Sequence, residues 1–351
     1  MNGYVSNTLC AGGNQSWFTV DGSDTGLVYM RVFRGGEMPY VFGFSNIIDS
    51  TFGDGSFSKM NDVCDWDILD FRIAVTKDYD PETADNLEYK PVYFNGRQNT
   101  RVEKYTYSDE IILNAEKDDY LCMKISFSGA KIPCHKETQL PVLRKNNGKW
   151  ELNPDVPMPF FRGVKRDVKK KIAFFGDSIT QGIGAGFDSY SHYAALAGKA
   201  LGEDYAVWNI GLGYGRAQDA ASDGIWLEKA KQNDVVSVCF GVNDIHKGRT
   251  EEQLKADLKF IACSLKNAGV KLILQTIPPF DYDKESEKIW RAVNGYIKTE
   301  LSQIADVIFD NNPILSENGA DSPKAKFGGH PNADGHSLWA DALLPVIKSI
   351  I

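Results

Sequence analysis

The 351-residue chain has no uninterrupted apolar run near the length of about eighteen residues that a membrane-spanning helix needs, so no segment is expected to cross a bilayer. Its opening, "MNGYVSNTLCAGG", has neither the basic nor the apolar stretch of a signal peptide. Cytoplasm is the expected compartment, or secretion if a leader has been trimmed. Paired cysteines are missing too. The six cysteines (10, 64, 122, 134, 239 and 263) are scattered, with no CxxC and no neighbouring histidine pair. That disfavours zinc and leaves buried free thiols as the reading, with no metal or cofactor expected. Basic charge is in deficit: 39 Lys and Arg stand against 47 Asp and Glu, a net charge of −8. Nucleic acid and anionic membrane, which call for basic patches, are therefore excluded as partners, while neutral sugars and esters are not. Histidine is scarce, at five residues. What the chain does have is apolar mass: 42% hydrophobic residues is an ordinary globular share, and the length exceeds what one core usually serves. Two domains are expected.

The two halves follow different patterns. Residues 1–165 hold short apolar runs between Gly, Asn and Asp: "LVYMRVF" (27–33), "YVFGFSN" (40–46), "FRIAVT" (71–76), "PVYFNG" (91–96), "EIILNA" (110–115) and "YLCMKISFSG" (120–129). No helix-length amphipathic segment interrupts them, so antiparallel strands in a sandwich or jelly roll are expected. The stretch 144–171, rich in Pro and Gly and ending in a basic run, reads as an interdomain connection.

From Lys171 onward, apolar runs alternate with helical periodicity. The runs are "KIAFFGD" (171–177), "AVWNI" (206–210), "DVVSVCFG" (234–241), "VKLILQTI" (270–277) and "DVIFD" (306–310). Between the third and fourth, Thr250 and Gln253 form a capping-box pair ahead of a Leu254, Leu258, Ile261, Leu265 stripe that Gly269 closes. Residues 286–305 repeat the theme with Ile289, Val293, Ile297, Leu301 and Ile304. Five apolar strands separated by helices imply a parallel sheet covered on both faces over 166–351, with ligands bound beyond the carboxyl ends of the strands. Function should then lie in the loops after 176, 210, 240, 277 and 310.

In the first loop, "FFGDSITQGIG" (174–184), Ser178 follows a buried strand by two residues, flanked by glycines. An activated hydroxyl there could attack a carbonyl. The pattern is neither a G-x-S-x-G elbow nor a P-loop, and a Gly-Asp-Ser turn alone is common. The second loop, "NIGLGYGRA" (209–217), is either a flexible turn or bare backbone that points an N–H at a ligand oxygen. In the third, "FGVNDIH" (240–246), Asn243 is either an ordinary turn residue or a second oxyanion donor.

Together, "GDSIT" (176–180), "NIGLGYG" (209–215), "GVND" (241–244) and "HPNADGH" (330–336) resemble, in order and spacing, the four blocks of the SGNH (GDSL) hydrolases. The resemblance covers about 180 residues of the C-terminal half. It implies a three-layer α/β/α sandwich around a five-stranded parallel sheet, Ser178 as nucleophile and His330 as base. It also implies an oxyanion hole from the N–H groups of Ser178 and Gly213 (or Gly215) and the amide of Asn243. "FGFSN" (42–46), "PVYFNGR" (91–97), "YSDEI" (107–111) and "KDDYLCMKISF" (117–127) are similar to the β-sandwich that precedes this domain in some bacterial carbohydrate esterases.

The last block departs from the family pattern: where the family places an aspartate three residues before the histidine, this chain has Phe327. Three accounts compete. A backbone carbonyl could take the Nδ1 proton, making a Ser-His dyad; Asp321 or Asp334 could substitute; or the site is degenerate and the protein a carbohydrate binder. His336 is a rival base, expected instead to cap or pack. His192 and His135 read as structural, and Asp177 as a brace for the serine turn. Tyr214, Gly215 and His246 are candidate substrate contacts, and Tyr214, Trp226 and Trp339 are aromatic residues able to stack on a sugar. The reading is a serine esterase for short acyl groups, acetyl above all, on carbohydrate. A general short-chain esterase or thioesterase is the alternative.

Overall fold

The computed structural model describes residues 3–48 and 62–351. The chain divides into two compact units, the principal boundary falling between Val168 and Lys169.

The first unit is built from two antiparallel sheets. In one, Gly36–Phe44 is the central strand, paired with Phe161–Lys165 on one side and with Thr106–Tyr107 and Ile111–Ala115 on the other. In the other, the long strand Tyr120–His135 lies between Asp24–Arg31 and Asp65–Thr76. Alternation along these strands turns aromatic residues inward, so the two sheets meet through Phe42 and Phe44 packed edge-on against Phe71, with Trp66 edge-on to Phe44. The phase of the Asp65–Thr76 strand changes midway. Trp66 and Ile68 are buried, then Phe71 and Ile73. A register shift opposite Ser126 and Phe127 leaves Leu69 unmatched, and this bulge restores the inward set while turning Leu69 out to solvent.

Two expectations need correction. "PVYFNG" is not a full strand: only Lys90–Pro91 pair, and Phe94 to Arg97 form a tight turn closed by an isolated bridge. The stretch 144–171 belongs in good part to the sandwich, since strands Val142–Asn146, Lys149–Leu152 and Phe161–Lys165 occupy it; the Pro/Gly-rich composition marked the turns between these strands.

The second unit holds the expected five-stranded parallel sheet, in the order Ala206–Asn209, Lys171–Gly176, Val235–Cys239, Lys271–Gln275, Val307–Phe309. Helix Tyr193–Leu201 packs with the final helix Ala333–Lys348, and the Glu251–Asn267 helix packs with Lys284–Thr299 and Ala217–Ala220, giving a layer on each side of the sheet. The Thr250–Gln253 capping box forms in both directions. Leu254, Leu258, Ile261 and Leu265 are fully buried, each contributing about 1.5–3 kcal/mol. The next helix starts earlier and ends sooner than its periodicity suggests: Asp283 caps Lys284–Thr299, and the buried face is Trp290, Val293, Asn294 and Ile297. Leu301 is buried from a separate 3-10 turn.

This strand order puts the first strand of the unit in the interior, with its sequence neighbours running outward on either side. The connections leave in opposite directions at that point, and a crevice opens where they part. The loop after Gly176 lies there.

Candidate active site

Ser178 stands at the first position of a one-turn helix, Ser178–Gln181. Asp177 caps that helix, its Oδ1 accepting from the Ile179 N–H at 2.9 Å. Burial pushes the Asp177 carboxyl up to about 7, and it faces backbone, not a histidine. As a first-turn group, the Ser178 N–H has no partner within the helix.

The Ser178 hydroxyl meets the ring of His330 across 152 residues of sequence, with Oγ 2.7 Å from Nε2. The histidine loop is positioned from three sides. The Asn332 N–H closes onto the Phe327 carbonyl at 3.2 Å, and the Asn332 side chain caps the final helix through the Gly335 N–H. Gly184, at φ +97°, lets the serine loop approach so closely that an added Cβ would sit 2.7 Å from the Pro331 carbonyl. The ring of Phe280 lies edge-on to His330, with centroids 5.6 Å apart, and presses on Gly329. Desolvation holds the His330 pKa below the ordinary histidine value.

Among the described residues nothing accepts a hydrogen bond from His330 Nδ1. The expected backbone carbonyl is not there. Asp321 and Asp334 are both exposed and neither bonds to the ring. Phe327 turns its side chain to the final helix, where a Cβ on Gly335 would meet it at 2.8 Å, and Lys326 lies over its ring.

The second and third loops lock together beside the serine. The Asn243 Nδ2 donates to the Gly215 carbonyl at 3.0 Å, which leaves its other amide proton uncommitted. Gly215 itself is buried, and its N–H goes to the Leu212 carbonyl at 3.1 Å. Gly215 is thus neither an oxyanion donor nor a surface for substrate, a correction to the sequence reading. Gly213 remains the glycine of this loop set within the turn. Tyr214 occupies the turn position with φ +57° and stands 50% exposed. Asp244, fully buried, accepts from the N–H groups of Ala217 and Gln218 and so caps the helix that follows the second loop; burial raises its carboxyl to about 7. Asn209 ties the first two loops: its Nδ2 donates to the Thr180 carbonyl at 2.8 Å and its Oδ1 accepts from the Gly211 N–H at 2.9 Å.

The remaining histidines are held apart from the serine. His336 lies beside the stacked rings of Tyr193 and Trp339 and nearly parallel to both, accepts from the Tyr193 N–H and is pushed down to about 4 by burial. His192 caps the Tyr193–Leu201 helix and is pushed down to about 3, again by burial. His135 is buried in the sandwich against the Gly13 carbonyl. His246 is exposed and lies edge-on to Phe280, 4.8 Å between centroids, so Phe280 sits between two imidazoles. Of the three candidate stacking aromatics, only Tyr214 is exposed. Trp226 is sealed in the core with its indole N–H on the Ile210 carbonyl, and Trp339 stacks on Tyr193 and donates to Gln275.

Asn209, Asp244 and Phe280 carry positioning work that sequence reasoning did not assign. Phe280 lies in the loop after the fourth strand, a place expected to hold function but given no residue. Its loop is fixed by Asn294, which both accepts from the Ile277 N–H and donates to its carbonyl. Among the described residues no group of three His, Cys, Asp or Glu side chains could hold a metal ion. A hydroxyl in contact with an imidazole, with the Ser178 N–H unpaired within its own helix, suits acyl transfer.

Residues 174–338 match the model of a family described as the GDSL-like Lipase/Acylhydrolase family. Among solved structures, a member of the lipolytic protein G-D-S-L family from Veillonella parvula is 20% identical at a TM-score of 0.43, covering 51% of this chain and 99% of that one. A carbohydrate acetylesterase family member from Sinorhizobium meliloti is 15% identical at 0.41, covering 51% and 98%. An acetyl xylan esterase from Geobacillus stearothermophilus is 19% identical at 0.40, covering 52% and 95%. No curated protein is significantly similar to the chain.

Proposed function

Residues 174–338 belong to the GDSL-like lipase/acylhydrolase family, and from that premise we propose that this protein is a serine esterase that removes short acyl groups, acetyl above all, from carbohydrate. The observation that carries the reading is the 2.7 Å contact between Ser178 Oγ and His330 Nε2.

His330 takes the serine proton on Nε2 as Oγ attacks the ester carbonyl. For that, the neutral ring carries its own proton on Nδ1. The oxyanion is met by the Ser178 N–H, the uncommitted amide proton of Asn243 and the Gly213 N–H. His330 returns the proton to the leaving alcohol, and water repeats the cycle on the acyl-enzyme. The imidazolium formed midway has no carboxylate bonded to it among the described residues, so the burden of charge stabilisation falls on the oxyanion side. The exposed ring of Tyr214 is the aromatic surface on which a sugar can stack.

The bare Nδ1 favours one second reading, a carbohydrate-binding protein with a spent site. Stopped-flow hydrolysis of p-nitrophenyl acetate separates the two. An esterase gives a burst of p-nitrophenol that Ser178→Ala abolishes, and a binder gives none. A panel of acetylated sugars against simple acetate and longer-chain esters and thioesters then decides between a carbohydrate esterase and a general one.

A further inference from the structure

Two motifs of the sandwich unit, "PVYFNGR" and "YSDEI", are unused by the chemistry above, and they meet at one turn. Phe94 and Arg97 exchange both backbone hydrogen bonds, at 2.7 and 3.1 Å, around Asn95 and Gly96. Both central residues have positive φ, +50° and +74°, the geometry of a type I′ turn that Asn-Gly favours. Asp109 clamps this turn: its two carboxylate oxygens accept from the Asn95 N–H at 2.9 Å and the Gly96 N–H at 2.8 Å. Asp109 is itself tied by its own N–H to the Tyr93 carbonyl. A two-residue turn fixed at four points holds its backbone rigidly, so the positions from which its side chains project are set before any ligand arrives.

Those side chains line a groove of about 480 Å³. Its exposed apolar part is Leu69, which the bulge in the neighbouring strand turns outward; Ile68 and Phe94 lie beneath it, buried in the sandwich. Arg101 is already neutralised, bonding Asp67 at 2.8 Å and also reaching Asp65. Arg97 is different. Its guanidinium has no carboxylate and no ring partner among the described residues, and the carboxamides of Asn95 and Asn99 beside it are likewise uncommitted. In a chain with a net charge of −8, Arg97 is thus a cation left unneutralised by the described residues at the edge of a concave, partly apolar surface.

We propose that this groove binds an acidic saccharide, with the planar guanidinium of Arg97 gripping a ring carboxylate, Asn95 and Asn99 reading hydroxyls, and Leu69 lying against the sugar's apolar face. A guanidinium pairs with a carboxylate through two parallel bonds, which a neutral hydroxyl cannot reproduce. The site lies wholly in the sandwich unit and stands apart from the esterase reading, so either can fail alone.

The test is isothermal titration of the full chain with a glucuronate-containing oligosaccharide and with its neutral glucose counterpart, using Ser178→Ala protein to exclude turnover. The acidic ligand should bind at least about tenfold more tightly than the neutral one, and binding should weaken as salt is raised. Arg97→Gln should lower affinity for the acidic ligand by about 10- to 100-fold, while thermal stability and p-nitrophenyl acetate hydrolysis stay at the parent level. Asn99→Ala should give a smaller loss for both ligands. Equal affinity for the two saccharides, no binding of the acidic one, or an unaffected Arg97→Gln protein overturns the proposal.

Discussion

Replacing Phe280 with Ala tests how a histidine without an acid is kept in register. Among the described residues His330 has a hydrogen bond to Ser178 on one ring nitrogen and none on the other, and the edge-on ring of Phe280 is a further constraint on the imidazole. An edge-to-face pair is worth about 0.5–1.5 kcal/mol. If that energy serves to hold the imidazole in its attacking orientation, its loss lowers kcat by about two- to tenfold. The ring also keeps water from His330, whose pKa lies below the ordinary histidine value because of desolvation. A general base works only when neutral, so kcat/KM falls as pH drops through that pKa. The parent acid limb should therefore lie below about 6.5, and Phe280→Ala should move it up towards that value, making the variant slowest, relative to parent, under mildly acid conditions. Steady-state hydrolysis of p-nitrophenyl acetate across about pH 5–8 measures both effects. Phe280→Leu, which keeps bulk but no ring, should fall between, and His246→Gln, which leaves Phe280 in place, should leave the limb where it was. An unchanged kcat and acid limb in Phe280→Ala, or a loss confined to KM, would refute the positioning role.

Three further outcomes follow from the same geometry. Asn243→Ala removes the proposed oxyanion donor and the clamp on the Gly215 carbonyl, and should cost about 10²–10³ in kcat with a smaller change in KM. Gly184→Ala places a Cβ against the Pro331 carbonyl in a backbone conformation that L-residues avoid, so kcat should drop although residue 184 touches no reacting atom; full activity there would mean the two loops are not held together. His192 is neutral in the fold, its pKa pushed down to about 3, whereas unfolded it titrates near 6.5. The unfolded chain therefore binds more protons as pH falls below about 6.5, and stability is lost progressively from there towards about 3. His192→Asn, which keeps a capping acceptor but does not titrate, should flatten the fall of Tm between about pH 6.5 and pH 4 in differential scanning calorimetry; an unaltered slope would assign the acid sensitivity elsewhere.

The parallel sheet was legible because strands buried on both faces leave runs such as "DVVSVCFG", and the loops at their carboxyl ends follow from topology alone. The Thr250 cap was legible for a similar reason: its chemistry is local, a hydroxyl and a carboxamide three residues apart. Residues whose partners lie far along the chain were harder. Asn209 reads as one more residue of a strand, yet it joins Thr180 to Gly211. Trp226 and Trp339 read as possible sugar platforms because an aromatic residue looks the same in sequence whether it faces a ligand or a core. The bulge at Leu69 shows the same limit in the sandwich: a change of phase in the apolar pattern is visible, but not what the displaced side chain comes to line.

Phe327 is the residue on which sequence and structure bear most differently. In sequence it is a missing aspartate. In the structure its side chain packs at the start of the final helix, against Gly335, while its carbonyl closes the turn that carries His330. A family aspartate at this place would orient the imidazole through Nδ1. Here the backbone of residue 327 still shapes the histidine turn, but the contact to the ring has passed to Phe280, from the loop after the fourth strand. An apolar edge can restrict the ring but cannot stabilise its positive charge. The expected consequence is a base that stays neutral to lower pH and a greater dependence on the oxyanion donors, which is why the losses at Asn243 and the position of the acid limb should be read together.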